Sequence, residues 1–209
     1  MTDQGPVRAR SLRYVALGDS YTIGTSVERA ARWPNQLVAA LDGDPPALSL
    51  VGNLGVNGYT SADLIRAELP ELERLEPDFA TVLIGVNDVV QGVPIATYEA
   101  NLATILDTLT QRLGASRLVT VAIPDYTVTE AGADYGDPRR QHGGIVACNA
   151  VMARLSVARG IRFVDTFDLS LRAATDRSLV ADDGLHPSGA QYATWVERIG
   201  PAVAELLGR

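Results

Sequence analysis

Five short apolar runs, each followed by an amphipathic stretch, set the tightest limit on how this chain can fold. The runs are Tyr14–Leu17, Leu48–Val51, Phe79–Ile84, Leu118–Ile123 and Ile161–Val164, rich in β-branched or aromatic side chains. A continuous apolar run of that length suits a strand covered on both faces, as in a parallel sheet. Helical periodicity fills the intervals. Leu102, Ile105, Leu106, Leu109 and Leu113 form one apolar stripe, and similar patterns run from Trp33 to Leu41, Ser61 to Leu69 and Ile145 to Ala158. A last helix is expected from about Ser188. Ser188 and Gln191 have capping-box spacing, and Tyr192, Trp195, Val196 and Ile199 recur at helical intervals. Pro201 is expected to kink or break that helix. The alternation predicts one doubly wound α/β domain with helices on both sheet faces.

The chain has 209 residues and is 46% hydrophobic, enough for a single substantial core. The domain is placed at residues 13–209, with residues 1–12 expected to be a poorly ordered tail. No stretch approaches the roughly 18 to 20 apolar residues that cross a bilayer. Residues before Arg13 lack the apolar region of a signal peptide, so the expected compartment is the cytoplasm. A net charge of −7 argues against a nucleic-acid partner. All 18 basic residues are Arg, which excludes a Schiff-base lysine, a Walker lysine and a Ser–Lys dyad. Cys148 is the sole cysteine, so neither an internal disulfide nor a multi-cysteine metal site can form. No cofactor and no metal are expected.

Ligands of an open parallel sheet bind beyond the carboxyl ends of its strands. Polar and Gly residues just after each run are therefore candidates for one rim. They are Gly18, Asp19 and Ser20; Gly52, Asn53, Gly55, Asn57 and Gly58; Gly85, Asn87 and Asp88; Asp125; and Asp165.

Nucleophilic catalysis needs a hydroxyl, a base, a group that orients the base, and donors for an oxyanion. His186, in Asp183-Gly184-Leu185-His186-Pro187, sits three residues after Asp183, a spacing that can bring the carboxylate under the imidazole. Pro187 disfavours helix at His186 and predicts a tight turn feeding the last helix. Each feature alone has a plainer reading. Asp-x-x-His is more often a surface turn, Ser20 a cap, Asn87-Asp88 an Asx turn and Asn57-Gly58 a simple turn. Their joint occurrence along the predicted rim favours chemistry. His142, among Arg139, Arg140 and Gly143-Gly144, reads as a solvated loop residue, and the two arginines as an exposed charge pair. Trp33 and Trp195 read as core, Cys148 as a buried small side chain, and 124–144 as an irregular excursion near the site.

The blocks Leu17-Gly18-Asp19-Ser20-Tyr21, Asn53-Leu54-Gly55-Val56-Asn57-Gly58-Tyr59-Thr60, Gly85-Val86-Asn87-Asp88 and Asp183-Gly184-Leu185-His186-Pro187 resemble those of the SGNH/GDSL hydrolases, with Tyr21 where the family name has Leu. The resemblance spans most of the chain. It implies a three-layer α/β/α, flavodoxin-like sandwich with a five-stranded parallel sheet, acting on a small-molecule ester. It also implies Ser20 as nucleophile, His186 as base, Asp183 as its orienter, and an oxyanion hole from Ser20 N–H, Gly58 N–H and the Asn87 amide. Gly58 suits that role because it accepts positive φ and close approach. Asp19 and Asp88 are expected to brace backbone. Within the same chemistry a thioesterase, lysophospholipase or acyltransferase stays open, and outside it a non-catalytic binding module. The absence of a long apolar lid favours short acyl chains.

Overall fold

The computed structural model describes residues 11–43 and 46–208. Most of the expected 1–12 tail lies outside the described residues. Leu12 already belongs to the first strand, its N–H donating to the Ala47 carbonyl at 2.7 Å.

Five strands form where the apolar runs fall: β1 (Leu12–Gly18), β2 (Leu48–Asn53), β3 (Phe79–Leu83), β4 (Leu118–Val121) and β5 (Arg162–Val164). All pairings are parallel and the order is β2-β1-β3-β4-β5. The helices are α1 (Ser20–Ile23), α2 (Trp33–Ala40), α3 (Ser61–Asp63), α4 (Glu71–Leu75), α5 (Val86–Val90), α6 (Ile95–Leu113), α7 (Pro138–Ala158), α8 (Phe167–Leu171) and α9 (Gly189–Leu206). From β1 the chain steps to β2 on one side, then returns past β1 and continues outward through β3, β4 and β5. Right-handed crossovers therefore place α2 and α9 together on one sheet face, and α6 and α7 together on the other. The result is a three-layer α/β/α sandwich around a five-stranded parallel sheet, as expected. Between the layers lie Tyr14, Leu17, Phe79, Leu83, Leu102 and Ile105, with Trp33 and Trp195 fully buried as expected.

The direction of winding reverses between β1 and β3, so a crevice opens beyond their carboxyl ends. The segments after these two strands carry Ser20 and Asn87.

Two expectations need correction. Pro201 neither breaks nor ends the last helix, which runs on to Leu206. Pro201 and Glu197, whose carbonyl loses its partner four residues back, are both exposed, so water can satisfy what the ring removes. The second concerns the excursion after β4. Its last part is ordered as the opening turns of α7, because Asp137 caps the helix by accepting from Arg140 N–H and Pro138 fits the first position.

Candidate active site

β1 ends in a glycine because no other residue fits there. Gly18 has φ +152°, and a Cβ on it would stand 2.0 Å from the Leu83 carbonyl oxygen of β3. The chain then turns at Asp19, whose side-chain oxygen caps α1 by accepting from Tyr21 N–H at 3.0 Å, and presents Ser20 as the first residue of that helix. Ser20 is almost buried, at 7% exposure. Trp33 braces the turn from below by donating its indole N–H to the Tyr21 carbonyl at 3.1 Å.

Gly58 lies in the loop between β2 and α3. Its φ is +82°, while the position of a Cβ is open space, so backbone conformation and not crowding requires glycine. The Gln91 amide donates to its carbonyl at 3.3 Å. Asn87 is the second residue of α5, and its side-chain amide donates to the Tyr59 carbonyl at 2.9 Å, which orients the group. Asp88 points the other way and accepts from Ser61 N–H (2.8 Å) and Ser61 hydroxyl (2.6 Å), tying the Gly58 loop to the Asn87 helix. Burial raises the Asp88 carboxyl above its usual range in spite of those bonds. Among the described residues, neither Ser20 N–H nor Gly58 N–H has an acceptor within the protein.

His186 sits in the turn ahead of α9, which Ser188 caps by accepting from Gln191 N–H. Its Nδ1 is 2.7 Å from Asp183 Oδ2. Asp183 Oδ1 accepts from the N–H groups of Leu185 and His186, each at 2.9 Å, and Oδ2 also accepts from the Ser26 hydroxyl at 2.6 Å. Burial alone would raise the Asp183 carboxyl, yet these donors hold it well below the usual range. Asp183 therefore stays ionised at neutral pH. Tyr21 packs on the imidazole, ring centroids 5.4 Å apart.

Ser20, Gly58, Asn87 and His186 converge on one cleft of about 240 Å³. Asp183 stands behind His186, outside the lining. The Ser20 hydroxyl makes no hydrogen bond to the imidazole, a looseness common in active sites without a bound ligand. The cleft walls are Tyr21, Val86, Val90, Tyr126, Tyr135 and Leu185, with Tyr126 and Tyr135 edge to face at 5.9 Å. Burial pushes the Tyr126 phenol up to about 12, so it stays protonated.

Other rim residues serve the scaffold. Asn53 donates to the Thr22 carbonyl at 2.8 Å, and Asp165 accepts from Phe167 N–H at 2.9 Å, just ahead of α8. His142 requires correction: it lies on α7 and not in a loop, with Nδ1 2.6 Å from Oδ2 of the buried Asp125. Arg139 and Arg140 are exposed, and Cys148 is buried with its thiol pushed up to about 12 by burial. Ser26, Glu68 and Tyr135 escaped the sequence reading. Ser26 acts from 157 residues away, and no local pattern marks it. Among the described residues no cluster of His, Cys, Asp or Glu could hold a metal, and no helix is long and apolar enough to cross a membrane.

A Gly-bounded serine after the first strand, with a histidine–aspartate turn ahead of the last helix, marks the class of serine ester hydrolases built on this sandwich. The sequence matches the GDSL-like Lipase/Acylhydrolase family over residues 16–194, and the chain belongs to that family. No curated protein matches the chain in sequence. Among solved structures it is similar to TesA, at 23% identity and TM-score 0.73, covering 93% of this chain and 99% of that one. The psychrotrophic esterase EstA from Pseudoalteromonas sp. matches at 17% identity and TM-score 0.72, covering 95% and 100%. Axe2, an acetylxylan esterase from Geobacillus stearothermophilus, matches at 20% identity and TM-score 0.70, covering 96% of each chain. At these identities the likeness is one of fold.

Proposed function

We propose that the protein hydrolyses carboxylic esters through an acyl-enzyme on Ser20. The observation that carries this reading is a cleft that brings the Ser20 hydroxyl, the His186 imidazole and two unpaired backbone N–H groups together. Ser20 Oγ attacks the acyl carbon while its proton passes to His186 Nε2, the ring nitrogen left free by Asp183. The ionised Asp183 fixes the tautomer and offsets the imidazolium charge. The carbonyl oxygen becomes an oxyanion that accepts from Ser20 N–H, Gly58 N–H and the second proton of the Asn87 amide. Collapse breaks the bond to the leaving alkoxide, which takes the proton from His186. A water then attacks the acyl carbon, gives its proton to the imidazole and releases the acid, restoring the Ser20 hydroxyl.

The cleft is small against the roughly 300 Å³ at which drug-sized pockets begin. That size, with no long apolar lid beside it, supports short acyl chains such as acetate. Treatment with a fluorophosphonate is expected to leave one adduct, on Ser20, and Ser20→Ala to remove both adduct and turnover. Wild-type turnover in Ser20→Ala would sink the mechanism. A series of p-nitrophenyl esters is expected to show faster turnover of the acetate than of the twelve-carbon ester; the reverse order would refute the chain-length reading.

A further inference from the structure

A second acidic group stands behind Ser20 and has no part in the mechanism above. After α3 the helix loosens into a π turn, Leu64–Glu68, closed by Leu69 N–H donating to the Leu64 carbonyl at 3.1 Å. Such a turn inserts one residue and re-aims the side chains around it, and π turns are frequent at functional sites. Here it ends on Glu68. The side chain is buried, and Oε2 accepts from Gly18 N–H at 2.9 Å, across 50 residues of sequence. Gly18 is the glycine whose conformation launches the Asp19-Ser20 turn. Glu68 Oε1 and Asp19 Oδ2 are both buried without a hydrogen-bond partner.

We propose that Glu68 is a positioning residue for Ser20: by accepting from Gly18 N–H it ties the end of β1 to the π turn and so fixes the turn from which Ser20 is presented. The inference rests on Ser20 being the nucleophile. A buried carboxylate with one N–H donor is far costlier than the acid, because nothing replaces the lost hydration. The groups acting on Glu68 supply no compensating cation. Burial dominates, the Gly18 N–H opposes it, and Asp19 adds repulsion, leaving Glu68 pushed up to about 9. Asp19 is itself pushed up to about 8, by burial and by Asp88 of α5, against the Tyr21 N–H. The phenols of Tyr21, Tyr98 and Tyr192 around it are raised by burial and by Asp19. Both acids therefore hold their protons at neutral pH. Their ionisation at alkaline pH places negative charge behind the site where the oxyanion forms, which disfavours it and loosens the turn.

The experiment measures kcat and KM on a small aryl acetate from pH 6 to 10 for wild type, Glu68→Gln and Glu68→Ala. A neutral amide preserves the contact to Gly18, so Glu68→Gln is expected to keep neutral-pH kcat within about threefold, whereas Glu68→Ala loses about tenfold or more with KM little changed. The alkaline fall in kcat is expected to become shallower in Glu68→Gln, since one buried acid no longer ionises. Thermal melts give a second readout. Glu68 binds a proton in the folded state and not in the unfolded one between its ordinary value of 4.5 and about 9, so wild-type stability falls as pH rises through that window. The fall is expected to be smaller in Glu68→Gln, and this holds even if Glu68→Ala fails to fold. Wild-type kcat in Glu68→Ala, an equal loss in Glu68→Gln, or a wild-type pH profile in Glu68→Gln would each overturn the proposal. Failure of the Ser20 reading shows separately, as absence of the fluorophosphonate adduct on Ser20 in the wild type.

Discussion

The molecule contains two Asp–His pairs of nearly equal geometry, 2.7 Å at Asp183–His186 and 2.6 Å at Asp125–His142. Their settings differ. His186 is 13% exposed, lies in a cleft beside Ser20, and its aspartate takes three further donors. His142 is 47% exposed, packs on Phe167, and its aspartate is held by the N–H and hydroxyl of Thr127. No hydroxyl nucleophile or unpaired N–H joins His142 among its described contacts. An Asp–His contact is thus a structural unit that the fold uses twice. What surrounds the second nitrogen decides whether it can do chemistry.

Exchanging the two histidines for alanine tests the contrast most directly. His186→Ala is expected to lower kcat by on the order of 10⁴-fold or more on a p-nitrophenyl acetate assay, while His142→Ala changes it by less than about threefold. Comparable losses in both would erase the distinction drawn here. The next effect is in the proposed oxyanion donors, which stand beside the first pair. Asn87→Ala is expected to cost about 100- to 1000-fold in kcat with little change in KM, read by steady-state kinetics.

The second pair is expected to matter for stability instead. His142→Ala leaves Asp125 buried with Thr127 alone, and a denaturant titration is expected to show a loss of about 1–3 kcal/mol. An unchanged midpoint would make the contact ornamental. The smallest effect concerns Ser26, one of four groups that hold Asp183 ionised. Its removal is expected to lower kcat by about three- to tenfold. Asp183 titrates below its ordinary value of 3.8, so the stability it contributes is complete above that pH and lost as pH falls through the lower folded value. In Ser26→Ala that folded value rises toward 3.8, and acid unfolding, followed by circular dichroism, is expected to begin at higher pH.

These contrasts also show what the sequence could and could not disclose. Strands were legible because burial on both faces leaves an unbroken apolar run, as at Phe79–Leu83. Ser20, Gly58, Asn87 and His186 were legible as candidates because each sits in a short block whose turn or spacing demands particular residues. Glu68, Ser26 and the Asp125–His142 pair were not, since each works through a partner brought near only by the finished fold. The π turn that aims Glu68 breaks the helical period that would have exposed it. Asp137-Pro138 was a readable helix start, obscured by Gly143-Gly144 just beyond it. Pro201 misled because its effect depends on which side of α9 meets water.

The wall of the cleft that carries Tyr126 and Tyr135 belongs to none of the segments that hold Ser20, Gly58, Asn87 or His186. It is a span fastened at both ends, by Asp125 to His142 where it leaves β4 and by Asp137 where α7 begins. Thr127 holds Asp125 and Ala131 N–H donates to the Gly184 carbonyl at 3.0 Å, so the first half of the span belongs to the fastening. Residues 133–136, which include Tyr135, can be treated as a cassette, and replacing them with a longer or more polar sequence is expected to alter which esters fit while those ties stay in place. For a redesign of selectivity, that segment is the place to cut.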